Sequence, residues 1–75
     1  MTFEQIAEKI ADYKGIDAST ITLDSTFEDL SIDSLDVADL VMQIEDEMGG
    51  VTIELDQSVT DMKALMARIE EAKNA

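Results

Sequence analysis

The sequence predicts an all-α fold, a small three- to four-helix bundle with a long loop between helices 1 and 2. Three segments repeat apolar residues at helical spacing and begin at polar cap residues. No Pro interrupts them, and Gly15, Gly49 and Gly50 fall between them. The 75 residues include no Cys and no His, so neither a disulfide nor a zinc site staples the chain. Ordering a chain of this size costs on the order of 100 kcal/mol of conformational entropy. Apolar burial must offset nearly all of it, and helices packed on each other form such a core with mostly local contacts.

The first helix is expected over about residues 3–14. Thr2 followed by Gln5 is a capping-box pair. Phe3, Ile6, Ala7, Ile10 and Tyr13 form the inner stripe, and Gly15 ends the run. A polar connection from Ile16 to Ile32 follows, rich in Asp, Ser and Thr. Ile16, Ile21, Leu23, Phe27 and Leu30 are expected to pin this long loop onto the core.

Asp33 can cap a second helix that begins at Ser34 or Leu35, with Asp36 in its first turn. That helix runs to about Met48, where Gly49-Gly50 stops it. Val51 to Leu55 alternate in polarity but have no evident pairing partner, so they read as an irregular link with a short helical turn near Asp56–Ser58. Thr60 is the expected cap of a last helix, about residues 61–73, with Met62, Leu65, Met66 and Ile69 facing inward. Met1, Met42, Met48, Met62 and Met66 fit ordinary core packing, or else a core that must open.

Charge narrows the function. Asp and Glu number 18 against 5 Lys and Arg, a formal net charge of −13. The two ends, residues 1–15 and 62–75, are balanced, so the whole excess lies between Gly15 and Met62, a stretch with no base. Nucleic-acid binding is excluded for want of a positive surface. Without His or Cys there is no Ser-His-Asp relay, no thiolate nucleophile and no His-based metal centre. The hydrophobic share of 45% argues against global disorder. No leader is visible, and the longest apolar run, Ala64 to Ala67, is far too short to span a bilayer. A soluble, cytoplasmic monomer is expected. The acidic middle is either a solvated surface or a face for basic partners.

The helix over 34–48 carries two apolar stripes. At about 100° per residue, Val37, Leu40, Val41, Ile44 and Met48 share one wide face. Leu35, Ala38 and Met42 lie well away from it, bordered by Asp39 and Asp46 on one side and Glu45 on the other. This second strip either packs under the long loop or serves as a docking surface with acids for steering. Ser34, at the start of the helix, has no base to activate it for catalysis of its own. It reads either as a plain N-terminal serine or as the acceptor of a phosphate ester. The free N–H groups of a helix start favour an attached phosphate, while Asp33 and Asp36 oppose it.

The segment Phe27-Glu28-Asp29-Leu30-Ser31-Ile32-Asp33-Ser34-Leu35-Asp36 resembles the phosphopantetheine attachment signature of acyl carrier proteins. Leu40 to Glu47 resemble the family's second helix, and the likeness extends through Val59 to Met62 and Ala64 to Ile69, nearly the whole chain. The resemblance implies a single acyl-carrier domain over residues 1–75, no enzyme activity, and a covalent 4′-phosphopantetheine arm on Ser34. The arm's thiol would hold acyl groups as thioesters, most simply in fatty acid biosynthesis. A phosphopantetheinyl transferase would add the arm from coenzyme A, helped by Asp33. Leu35, Asp36, Asp39, Met42, Glu45 and Asp46 would dock onto basic patches of acyl-transferring and chain-elongating enzymes. Leu40, Ile44, Leu65 and Ile69 would form a flexible core that shelters the chain.

Two departures stand out. Ser31 occupies a position where the family commonly has Gly, and the stretch after Gly49-Gly50 lacks the family's usual Pro and acidic run. A shortened or displaced third helix is therefore expected. The alternatives are a carrier of polyketide or aminoacyl groups, an unmodified acidic adaptor for basic proteins, and a divalent-ion binder through Asp24, Glu28 and Asp29 or through Glu45, Asp46 and Glu47. No EF-hand loop supports the last.

Overall fold

The computed structural model of the chain describes residues 2–74. It contains α1 (Phe3–Lys14), a 3-10 turn (Ala18–Thr20), α2 (Ser34–Glu47) and α3 (Met62–Lys73). Among the described residues the fold is all-α, with one isolated backbone bridge between Thr26 and Asp61.

α1 begins at the expected capping box. The Gln5 N–H donates to Thr2 Oγ1 at 3.2 Å, and the Thr2 N–H donates to Gln5 Oε1 at 2.8 Å. Gly15 ends it in the left-handed region at φ 71°, where a side chain would be strained. Ile6, Ala7, Ile10 and Ala11 are buried, whereas Phe3 is only half-buried and Tyr13 is exposed. α2 turns Leu40, Val41 and Ile44 inward, and α3 contributes Met62, Leu65 and Ile69. Met48 and Met66 pack half-buried against this core, Met42 points to solvent, and Met1 lies outside the described residues.

The long loop is held from both sides. Ile21, Phe27 and Ile32 are buried and Leu30 is half-buried. Ile16 and Leu23 are exposed, which corrects their reading as anchors. Leu23 instead contributes its backbone: its carbonyl accepts from the Lys63 N–H at 3.1 Å, and that of Ser25 accepts from the Met62 N–H at 3.0 Å. Two N–H groups left free at the start of α3 are thereby satisfied by the loop. The Phe27 N–H returns a bond to the Thr60 carbonyl at 2.9 Å.

This stitching moves the cap of α3. Asp61, not Thr60, is the N-cap, and its side chain accepts from the Ala64 N–H at 2.7 Å. Thr60 lies one position too early, with its carbonyl engaged by the loop.

The link after α2 is irregular, as expected, but the short helical turn expected near Asp56–Ser58 is only a turn at Gln57–Ser58. Ile53 and Val59 anchor it in the core. The Ser58 N–H and hydroxyl donate to Asp56, whose other carboxylate oxygen pairs with Arg68 Nη2 of α3 at 2.9 Å. The shortened or displaced third helix expected from the resemblance is absent among the described residues between α2 and α3, where a strap tied at its middle and its end takes its place.

Candidate functional site

Ser34 is the first residue of α2 and is exposed. Asp33 precedes it as N-cap in extended conformation, and a second capping box frames it. The Asp36 N–H donates to Asp33 Oδ1 at 2.9 Å, and the Asp33 N–H donates to Asp36 Oδ2 at 3.2 Å. Ser34 and Leu35 sit between these two partners. No described hydrogen bond uses the Ser34 hydroxyl, so it is free to act as an acceptor of a group.

The approach to this turn is strained. Ser31 has φ 57°, the one non-glycine residue with positive φ among those described. The left-handed region costs an L-residue about 1–2 kcal/mol. Glycine, the residue that the resemblance leads us to expect at this position, would remove that strain. The tight return lets the Ile32 N–H donate to the Phe27 carbonyl at 2.8 Å and turns Ile32 into the core.

An open groove of about 740 Å³ lies beside Ser34, which is one of its lining residues. Phe27, Ile32, Val37 and Ala38 form one part of its lining, and Leu55 and Val59 of the strap form another. Phe27, Ile32 and Val37 also border a void of about 10 Å³ inside the core. Leu40 and Leu65 line only this void, and Ile44 and Ile69 line neither space. The space next to Ser34 therefore lies one layer outside the four inner residues expected to shelter a chain.

Along α2, Leu35 is 79% exposed and Met42 66% exposed, and Ala38 is exposed between them. The strip does not pack under the loop. Asp39 and Asp46 beside it are also exposed. Asp36 and Glu45 differ from these. Tyr13 donates its hydroxyl to Asp36 Oδ1 at 3.0 Å, and Lys14 Nζ lies 3.4 Å from Oδ2. Glu45 Oε2 accepts from the Ile53 N–H at 2.7 Å, which ties the last turns of α2 to the strap.

The pKa shifts agree with these contacts. The Asp33 N–H is the main cause of the lowered Asp36 pKa, helped by Tyr13 and Lys14. The Tyr13 hydroxyl is pushed up to about 12, chiefly by its bond to Asp36 and further by slight desolvation against α2 and the nearby Asp36 and Asp39 charges. Sequence reasoning missed this cluster because Tyr13 read as a core residue. Among the described residues, no three acids converge as a metal site would require. That includes both sets considered for divalent ions.

A family model described as a phosphopantetheine attachment site matches residues 4–61. The chain belongs to this family. It is 41% identical over 69 residues to acyl carrier proteins of Streptococcus pneumoniae, serotype 4 strain TIGR4 and strain R6. The match covers 92% of this chain and 92% of each relative. The molecule is accordingly a carrier and not a catalyst, and its prosthetic group is a covalently held phosphopantetheine. No described helix is long and apolar enough to cross a membrane.

Proposed function

We propose that Ser34 is the residue that bears 4′-phosphopantetheine and that this single-domain, monomeric, cytoplasmic carrier serves fatty acid biosynthesis. The observation that carries the reading is the placement of Ser34: exposed, unbonded through its hydroxyl, at the first turn of α2 and lining a mainly apolar groove. The attached group supplies a thiol at which acyl chains are held as thioesters. The chain's own residues do the rest. The start of α2 presents its dipole to the phosphate ester. Phe27, Ile32, Val37, Leu55 and Val59 offer apolar cover to whatever is tethered beside them. The same residues fit the prosthetic group: the start of α2 would hold its phosphate, and the apolar residues beside Ser34 would cover the rest.

Docking falls to the exposed strip. Leu35 and Met42 supply contact area, and Asp39 and Asp46 steer basic patches of the phosphopantetheinyl transferase and of acyl-transferring and chain-elongating enzymes. Asp36 and Glu45 border the same face, but their carboxylates are already engaged within the molecule. Asp33, exposed beside Ser34, lies within reach of a transferase seated on this end.

Peptide mapping of protein purified from its native cell tests the reading. The peptide containing Ser34 should carry the prosthetic group, with fatty acyl chains on its thiol. Polyketide or aminoacyl cargo would reassign the pathway, and a bare Ser34 peptide would overturn the proposal.

A further inference from the structure

We propose that Tyr13 and Lys14 are positioning residues for the modification of Ser34, acting through Asp36. The proposal rests on Ser34 being the attachment residue. In the transfer, Ser34 Oγ bonds to the pantetheine phosphorus of coenzyme A and the pyrophosphate bond at that phosphorus breaks. Adenosine 3′,5′-bisphosphate leaves, and the hydroxyl proton passes to a base of the transferase. The geometry of Ser34 is therefore the geometry of the nucleophile.

Asp36 sets that geometry through its reciprocal bonds with Asp33, which close a ring around Ser34 and Leu35. Both carboxylate oxygens of Asp36 are held again from outside, Oδ1 by Tyr13 at 3.0 Å and Oδ2 by Lys14 at 3.4 Å. The first turn of α2 is thus fastened to the end of α1, just before Gly15. Its acid cannot rotate away without breaking contacts on both sides.

The same pair offsets charge. A phosphate ester forming at Ser34 meets Asp33 and Asp36, both of the wrong sign. Lys14 supplies the positive charge nearest to Asp36, and the two side chains are only 24% and 20% exposed, so solvent screens the pair incompletely.

A second ion pair between the same helices provides the control. Lys9 Nζ lies 2.8 Å from Glu47 Oε2 at the far end of α2. It joins α1 to α2 without touching the capping box. If the Lys14–Asp36 contact merely staples two helices, breaking either pair should have the same effect.

The test is steady-state phosphopantetheinylation by a transferase with coenzyme A, run on wild type, Tyr13→Phe/Lys14→Met, Lys14→Arg and Lys9→Met. The double variant should lose kcat by roughly tenfold, less than the ~10²-fold that a ~1 Å misplacement of reacting groups can cost. Its KM should stay level or fall, because an unpaired Asp36 adds to the docking charge. Lys14→Arg, which keeps the charge beside Asp36, should hold kcat near wild type, and Lys9→Met should leave both constants near wild type. Amide exchange at Leu35 to Val37 should quicken in the double variant only. An unchanged kcat in the double variant, or an equal loss in Lys9→Met, would overturn the proposal. Wild-type protein that gained no mass would instead bring down the attachment reading, so the two failures are distinguishable.

Discussion

α2 carries two apolar stripes that meet opposite fates. Leu40, Val41 and Ile44 are almost wholly buried, whereas Leu35, Ala38 and Met42 are exposed on the same helix. Hydrophobic composition alone does not separate them. Their surroundings do: the first stripe meets α1 and α3 residues across the core, and the second is bordered by Asp39 and Asp46 and covered by nothing in the described chain. One stripe holds the fold together, and the other is left to solvent. With the docking role proposed above, the helix separates stability from binding by angle.

Substitutions can break or sharpen that contrast. The largest effect belongs to the buried stripe. Ile44→Ala should cost about 2–5 kcal/mol of unfolding free energy, read by urea denaturation, whereas Met42→Ala should change it by no more than about 0.5 kcal/mol. Comparable losses at both positions would erase the distinction. In binding the order should reverse. Leu35→Ala should weaken docking to a partner enzyme by about 1–2 kcal/mol at unchanged melting temperature, measured by titration calorimetry.

Smaller effects concern the turn that leads into the exposed stripe. Ser31→Gly relieves a left-handed residue, worth about 1–2 kcal/mol, but adds about 0.5–1 kcal/mol of chain entropy in the unfolded state. A net gain of about 0.5 kcal/mol should appear in denaturant titration. The Tyr13–Asp36 bond should appear in the pH dependence. Because the Tyr13 pKa rises from 10.0 to about 12 on folding, its contribution is full below about 10 and declines as pH climbs to 12. Asp36 has the opposite sign. Its lowered pKa stabilises the fold above the ordinary carboxylate range, and that stability is lost as pH falls through the folded value. Tyr13→Phe should flatten the alkaline limb in a thermal melt series.

Much of this arrangement was legible in the chain. The Thr2–Gln5 box, Gly15 and the apolar period located α1 at residues 3–14 because all three signals are local. The helical wheel separated the two stripes of α2 for the same reason. What escaped depends on contacts distant in sequence. Thr60 and Asp61 can both cap a helix, with Asp the stronger former, and the Phe27 N–H bond to the Thr60 carbonyl agrees with the cap falling at Asp61. Tyr13 fits the inner period of α1 but turns out to meet Asp36, 23 residues away. The alternation of Val51 to Leu55 reads only as an irregular link, yet Ile53 is buried in the core and Val51 packs half-buried against it. The groove beside Ser34 could not be read at all, since its walls come from the loop, α2 and the strap.

The most direct measurement is intact mass after incubation with coenzyme A and a promiscuous phosphopantetheinyl transferase. The account predicts that wild-type protein gains the mass of one phosphopantetheine and that Ser34→Ala gains none. A gain that persists in Ser34→Ala, or no gain in wild type, would contradict it.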